Sequence, residues 1–366
     1  MKITLSHIAE KAGVTISTAQ RALNGGKGVS DSKRDCIIKI ANELEYKKKP
    51  GAVVEKKILR LAVVFPDIRQ DNRFFTPHLW FGLEHFKKIC TSHSIEFVHL
   101  TYQRLDEHIQ RIQEIADGEH GILDGVIARG TVSPESSKQF RKLQKNGIPV
   151  VLVGADIASS FRLCCVENYA KLTGAMVADL FINFGVLKDR SQAILCGTFV
   201  GLNQFYNAQG FERQTWNAGL NIDMIKIPEA ENNIDTKQSI CAILENNENV
   251  SAIYACSARS TIAAHEAIAQ MGMENAVRLV GSDLFTESIQ LLRLGKIAAL
   301  VHNHPFTLAY TSIETLVSYL SNGKKPEKDT VLISSDIVTR GNLDFFLSQT
   351  PSLKELCDPA QLTMFS

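Results

Sequence analysis

From Ile58 onward the apolar positions gather into short runs of strand-forming residues separated by stretches at helical spacing. The runs fall at 59–65 (LRLAVVF), 95–100, 124–128, 149–154 (PVVLVG), 192–197, 221–227, 251–256, 278–283 and 298–302. Between most of them lie 10–18 residues with a helical apolar period. Such alternation predicts parallel sheets with helices on both faces. These are too many strands for one comfortable sheet, so two Rossmann-like lobes are expected. In open α/β sheets ligands sit beyond the carboxyl ends of the strands, which for two lobes means the cleft between them.

The first 46 residues carry a different pattern. Thr4 suits an N-cap, and Leu5, Ile8, Ala9 and Ala12 share one helical face. Gly13 allows the left-handed turn that ends this helix, Val14 is an apolar pivot, and Thr15 can cap a second helix. That helix runs to about Leu23 and is stopped by Asn24-Gly25-Gly26. Two helices around a Gly-containing turn form a helix-turn-helix, whose second helix enters a DNA major groove. A third helix begins at Ser30 as N-cap with Asp31 behind it, and Ile37, Ile38, Ala41 and Leu44 cover the pair. Lys33 and Arg34 near its start either touch phosphate or face solvent. The small all-α head therefore spans 1–46, a basic linker 47–57, a two-lobed α/β domain 58–343 and a tail 344–366.

Charge sharpens this division. The net charge of +1 conceals 12 Lys/Arg against 6 Asp/Glu in residues 1–57, and 28 against 33 in residues 58–366. A basic head on an acidic body implies that the head is what meets a polyanion. With 45% apolar and 22% charged residues the composition is that of a soluble globular protein. Met1-Lys2 leads straight into helix-turn-helix sequence, and no apolar run approaches the roughly 18–20 residues of a membrane span, so a cytoplasmic chain without a membrane role is expected. The 8 cysteines show no CxxC or metal spacing and read as reduced thiols. Cys164 and Cys165 would face opposite sides of a strand. No GxGxxG follows the first strand, and no P-loop, nucleophile elbow or HExxH occurs, so neither enzyme nor cofactor is expected. His302 and His304 alternate at a strand end without a third ligand, and no metal is expected.

The stretch Ile3–Asn24 resembles the DNA-binding head of the LacI/GalR family of bacterial repressors, matching it at Thr4, Leu5, Ile8, Ala9, Ala12, Gly13, Val14, Thr18, Arg21, Leu23 and Asn24. It departs at His7, where the family has an acid, and at Ala19-Gln20. The body is similar to the family's effector domain, which has the fold of periplasmic sugar-binding proteins. Asn72-Arg73-Phe74-Phe75, Val280-Gly281-Ser282-Asp283, Asn303-His304-Pro305 and Ile337–Leu343 stand in the family's order. KKKPGAVVEKK (47–57) lacks the family's A-R-x-L hinge-helix pattern, which puts hinge-driven kinking of DNA in doubt and leaves a flexible basic linker as the simpler reading.

The resemblance implies a homodimeric regulator of double-stranded operator DNA, controlled by a small effector. By motif position Ile16, Ser17 and Arg21 reach base edges, Thr18, Gln20 and Asn24 lie nearer phosphates, and Thr4 and Thr15 complete the DNA-binding set. Arg21 can grip a guanine edge with two hydrogen bonds. Asn72, Phe74, Phe75, Arg129, Asn168, Asn207, Asp283 and Asn303 would line the effector cleft, with Arg259 near it. Asn207 stands where the family usually carries an effector-contacting Arg. A neutral sugar or polyol is the first expectation, unless Arg129 or Arg259 points inward, and a sugar acid or sugar phosphate is the second. A sugar-binding solute protein without a regulatory role is the rival from another class.

Overall fold

The computed structural model of the protein describes residues 3–23, 29–44, 46, 58–68, 74–131, 133–157, 161–197, 202–228 and 233–349. Asn24, Asn72, the 47–57 linker and the tail beyond Gln349 lie outside the described residues. The chain divides into two compact units, Met1–Lys57 and Ile58–Ser366.

The first unit holds α1 (Leu5–Lys11), α2 (Ile16–Leu23) and α3 (Asp31–Glu43). Ile8, Ala9, Ala19, Ala22, Ile37 and Ala41 form its buried core, with Val14 and Leu44 packed at the margin. Gly13 has φ +63°, the left-handed turn between α1 and α2 that a side chain would strain. His7, in place of the family's acid, serves the same local purpose, because its Nδ1 accepts the Thr4 backbone N–H at 3.2 Å. Ser30 is the N-cap of α3, without a side-chain capping hydrogen bond. One expectation for α3 needs correction: Ile38 is 39% exposed and lies off the core stripe. Arg34 is tied back to α2, its Nη1 donating to Ala22 O at 3.2 Å.

The second unit alternates strands and helices throughout. Its elements are β1 (Ile58–Pro66), α4 (Thr76–Ile89), β2 (Ser94–Tyr102), α5 (Leu105–Ala116), β3 (Gly125–Ala128), α6 (Pro134–Lys145), β4 (Val150–Val153), β5 (Cys164–Asn168), α7 (Ala170–Asn183), β6 (Gln192–Gly197) and α8 (Leu202–Asn217). There follow β7 (Asp223–Pro228), α9 (Asn233–Asn246), β8 (Val250–Ala255), α10 (Ala258–Gln270), β9 (Arg278–Ser282), α11 (Thr286–Arg293), β10 (Ala299–His302), α12 (Pro305–Asn322), β11 (Thr330–Ile333), β12 (Asp336–Val338) and α13 (Leu343–Gln349).

Two six-stranded sheets result, ordered β11-β5-β4-β3-β1-β2 in lobe 1 and β12-β10-β9-β8-β6-β7 in lobe 2. Every pairing is parallel except β12 against β10. Burial on both faces is what the near-continuous apolar runs of β3 and β4 demand. Cys164 and Cys165 do face opposite sides of β5, each into a different core cluster.

Three strands absent from the sequence reading, β5, β11 and β12, mark where the chain changes lobe. It passes from β5 into α7 of lobe 2, from β10 back into α12 of lobe 1, and from β11 into β12. Helix α13 docks Leu343, Phe346 and Leu347 onto the lobe 2 core, so residues 343–349 are part of that lobe's packing. Helices α7 and α8 touch backbone to backbone. A Cβ on Gly174 would collide with the Asn207 carbonyl, and one on Gly210 with the Lys171 carbonyl. That close approach fixes the helix from which Asn203 and Asn207 project.

Candidate functional site

On the head, α2 presents its polar side outward. Ile16 is 52% exposed, and Ser17, Gln20 and Arg21 are exposed beside it. The start of α2 is knitted by hydroxyls: Thr15 Oγ1 accepts the Thr18 N–H at 3.2 Å and lies 2.8 Å from Thr18 Oγ1. Arg21 Nη2 reaches Ser17 Oγ at 3.5 Å, one turn away, so these two base-edge candidates share one surface. Thr4 lies at the start of α1, and its backbone is held by His7. The helix leaves a rigid rod with a polar, cation-bearing face, the shape that a major groove admits.

In the second unit, a cavity of about 280 Å³ opens between the lobes beyond the strand ends. Phe74, Phe75, Arg129, Asn168, Asn207, Asp283 and Asn303 all line it, as does Arg259. Thr76, Asn203, Gln204, Cys256 and Ser257 also line it and were missed by sequence reasoning. One signal was available: Asn203 precedes Asn207 by four residues and so shares its helix face.

Asp283 ends β9 with φ +69°, a left-handed conformation that Asp tolerates better than most residues, and its N–H still reaches Val301 O at 2.8 Å. Asn303 Nδ2 donates to Asp283 Oδ1 at 3.1 Å, and Asn168 Nδ2 donates to Asn303 O at 2.9 Å. Both amides expected at the ligand are therefore partly occupied in joining the crossovers. Asn207 is different: only 8% exposed, its Oδ1 has no hydrogen-bond partner. A buried acceptor left unpaired costs about 1–3 kcal/mol, which a donating ligand recovers.

Aromatic and polar contacts already span the cleft. Phe74 of lobe 1 meets Phe285 of lobe 2 with centroids 4.3 Å apart and rings tilted by 42°, and packs with Ala258 and Ile262. Asn203 Nδ2 donates to Gly154 O at 2.7 Å. At the hinge, His304 (φ +49°) lies 2.8 Å from Asp336 and its ring is 4.2 Å from that of His302. Burial pushes His302 down to about 3 and His78 down to about 4, so both rings are neutral. Among the described residues no group of three or more His, Cys, Asp or Glu is arranged to hold a metal ion.

Residues 4–49 match the family described as bacterial regulatory proteins, lacI family, and residues 63–325 match the periplasmic binding protein domain. The chain belongs to the LacI family of regulators. It is 26% identical over 263 residues to catabolite control protein A of Priestia megaterium, covering 69% of this chain and 74% of that one. It is 22% identical over 338 residues to the ribose operon repressor of Haemophilus influenzae, covering 90% and 95%. Among solved structures, a putative LacI transcriptional regulator from Bacteroides fragilis aligns with TM-score 0.69 at 19% identity, over 79% of this LacI-family chain and 99% of the other. The glucose-galactose binding protein GanP of Geobacillus stearothermophilus aligns with TM-score 0.68 at 21% identity, over 79% and 99%. These likenesses establish the two-lobed fold for this LacI-family member. The second of the two sequence relatives is named as an operon repressor. No helix among the described residues is long and apolar enough to cross a membrane.

Proposed function

We propose that the chain is a cytoplasmic transcriptional repressor that binds operator DNA as a homodimer, one half-site per α2, and is controlled by a sugar-like effector held between the lobes. The observation that carries the reading is the pairing, in one chain, of an exposed α2 face with a cleft whose buried Asn207 acceptor lacks a partner. The first feature suits a groove, and the second suits a molecule rich in hydroxyl donors. The ribose operon repressor and the glucose-galactose binding protein, by their names, point to monosaccharides as the ligand class. At about 280 Å³ the cavity is near the lower end of small-molecule sites, roughly 300–1,000 Å³, and suits one sugar ring. A solute-binding protein without a regulatory role would have no use for the head.

Ile16, Ser17 and Arg21 read base edges in this scheme, with Thr4, Thr15, Thr18, Gln20 and Asn24 toward phosphates. Asn72, Phe74, Phe75, Arg129, Asn168, Asn207, Asp283 and Asn303 form the effector site. Effector binding changes the balance between open and closed lobes, and so the spacing of two heads on adjacent half-sites. Selection of bound sequences from a random DNA library, followed by anisotropy on the enriched site with and without sugars, tests the reading. An enriched palindromic site with sugar-dependent affinity is expected. Absence of any enriched sequence would overturn the regulatory role.

A further inference from the structure

We propose that the effector is a sugar acid, and that Arg129 of lobe 1 holds its carboxylate. The inference rests on the effector-controlled reading above and names the chemical class that the cleft selects.

Arg129 follows β3, is half-buried and lines the cavity. Its guanidinium lies 5.4 Å from the centroid of the Phe75 ring and borders Gly154, where a Cβ would lie 3.9 Å from it. Among the described residues it forms no salt bridge. Three other half-buried arginines of this unit are paired: Arg60 with Glu96 at 3.1 Å, Arg111 with Glu114 at 3.0 Å and Arg162 with Asp156 at 2.5 Å. A partly desolvated cation without a counter-charge is costly to hold, and the chain tolerates one where a ligand can reach it. The ring of Phe75 offsets part of that cost without supplying a charge.

The charge of the lining runs against its surroundings. Two guanidiniums, Arg129 and Arg259, face one carboxylate, Asp283. Residues 58–366 as a whole carry 28 Lys/Arg against 33 Asp/Glu. Arg129, a cation without a salt bridge among the described residues, draws anions toward the cleft of an otherwise acidic unit. Asn303 Nδ2 donates to Oδ1 of Asp283, which orients this carboxylate and partly offsets its charge. On lobe 2, Asn207 offers an unpaired acceptor, which calls for a hydroxyl donor at that wall. One molecule meeting both demands presents a hydroxyl to Asn207 and an acid to Arg129. A planar guanidinium fork matches a carboxylate with two parallel hydrogen bonds. At Arg129 itself a phosphate offers more acceptor oxygens than one fork can meet. Arg129 stands on lobe 1, and on lobe 2 Asn207 occupies the position where the family resemblance has an Arg.

The test uses the full chain in phosphate- and sulfate-free buffer. Calorimetric titrations compare D-galacturonate with D-galactose, D-gluconate with D-glucose, and D-glucose 6-phosphate with both, on the natural protein and on Arg129→Gln. The expected result is an acid binding at least tenfold tighter than its neutral partner. Arg129→Gln should weaken that acid tenfold or more while moving the neutral partner less than threefold. Without sugar, added sulfate at constant ionic strength should raise the melting temperature of the natural protein more than that of Arg129→Gln. Neutral sugars binding as tightly as the acids, with no dependence on Arg129, would overturn the acid assignment and leave the sugar-controlled reading standing. Tighter binding of the phosphate ester would overturn the carboxylate assignment. If no sugar of any kind binds and sulfate acts equally on both proteins, the proposal and the sugar-like effector fall together.

Discussion

The Ser335 hydroxyl donates to Oδ1 of Asn303 at 2.9 Å while accepting from Thr173 Oγ1 at 3.0 Å. Ser335 and Thr173 are each 2% exposed. With the Asn168 bond to Asn303 O, this joins all three crossovers between the lobes through a few buried polar groups. The same Asn303 holds Asp283, so the effector wall and the hinge share one amide.

Ser335→Ala removes the shared hydroxyl and leaves Asn303 Oδ1 short of a donor. A loss of about 1–3 kcal/mol is expected, read from the urea midpoint of the full chain. Faster hydrogen exchange at the Tyr169 and Asn303 amides should accompany it. Unchanged exchange there would mean that the crossovers are held by packing alone.

Arg21→Ala on α2 should relax base preference at one operator position by about 1–3 kcal/mol, as expected for loss of a two-bond guanine contact. Competition binding at fixed salt measures it. A uniform loss across all operator variants would instead place Arg21 on phosphate.

Asp283 combines backbone strain with chemistry, and two substitutions separate them. At φ +69° glycine is at ease and alanine is not, so Asp283→Gly should be more stable than Asp283→Ala by about 1 kcal/mol. Both should lose effector-induced stabilisation, because neither supplies the carboxylate. Thermal melts with and without D-galacturonate compare the two effects.

The buried hinge histidines set a pH dependence with a definite sign. Burial lowers His78 from 6.5 to about 4, and burial followed by the neighbouring rings of His304 and His78 lowers His302 from 6.5 to about 3. Between those values and 6.5 the unfolded chain takes up protons that the folded chain refuses, so stability rises with pH in that window. Acidification from 6.5 toward 4 should therefore destabilise the second unit. His302→Gln should make the slope of the urea midpoint against pH shallower.

Much of this was legible in the sequence because its causes are local. The apolar runs of β1 and β8 predict buried strands, and Gly13 with Thr15 marks the turn of the head. The strands that escaped notice, β5, β11 and β12, are short and carry polar or small residues. They exist because a neighbouring strand supplies their partner, a long-range cause that periodicity does not record. Most cleft residues found in advance follow strands, while Asn207 was placed by its position ahead of Gly210-Phe211 on α8. Asn203, Gln204 and Ser257 come instead from helix beginnings, where the orientation of a whole helix decides what faces the ligand. Asn207 was anticipated as a ligand group, but its unpaired oxygen depends on how closely α7 and α8 approach at Gly174 and Gly210.

The Phe74–Phe285 ring contact and the Asn203–Gly154 hydrogen bond tie one lobe to the other beside the cleft. Any parting of the lobes must first break both contacts. For a ligand that needs the wider cleft, capture waits on the protein's own opening, and its rate levels off at high ligand concentration instead of climbing with it. Shortening the Phe285 side chain would quicken both arrival and departure. How quickly the lobes release what they hold thus depends in part on one pair of rings.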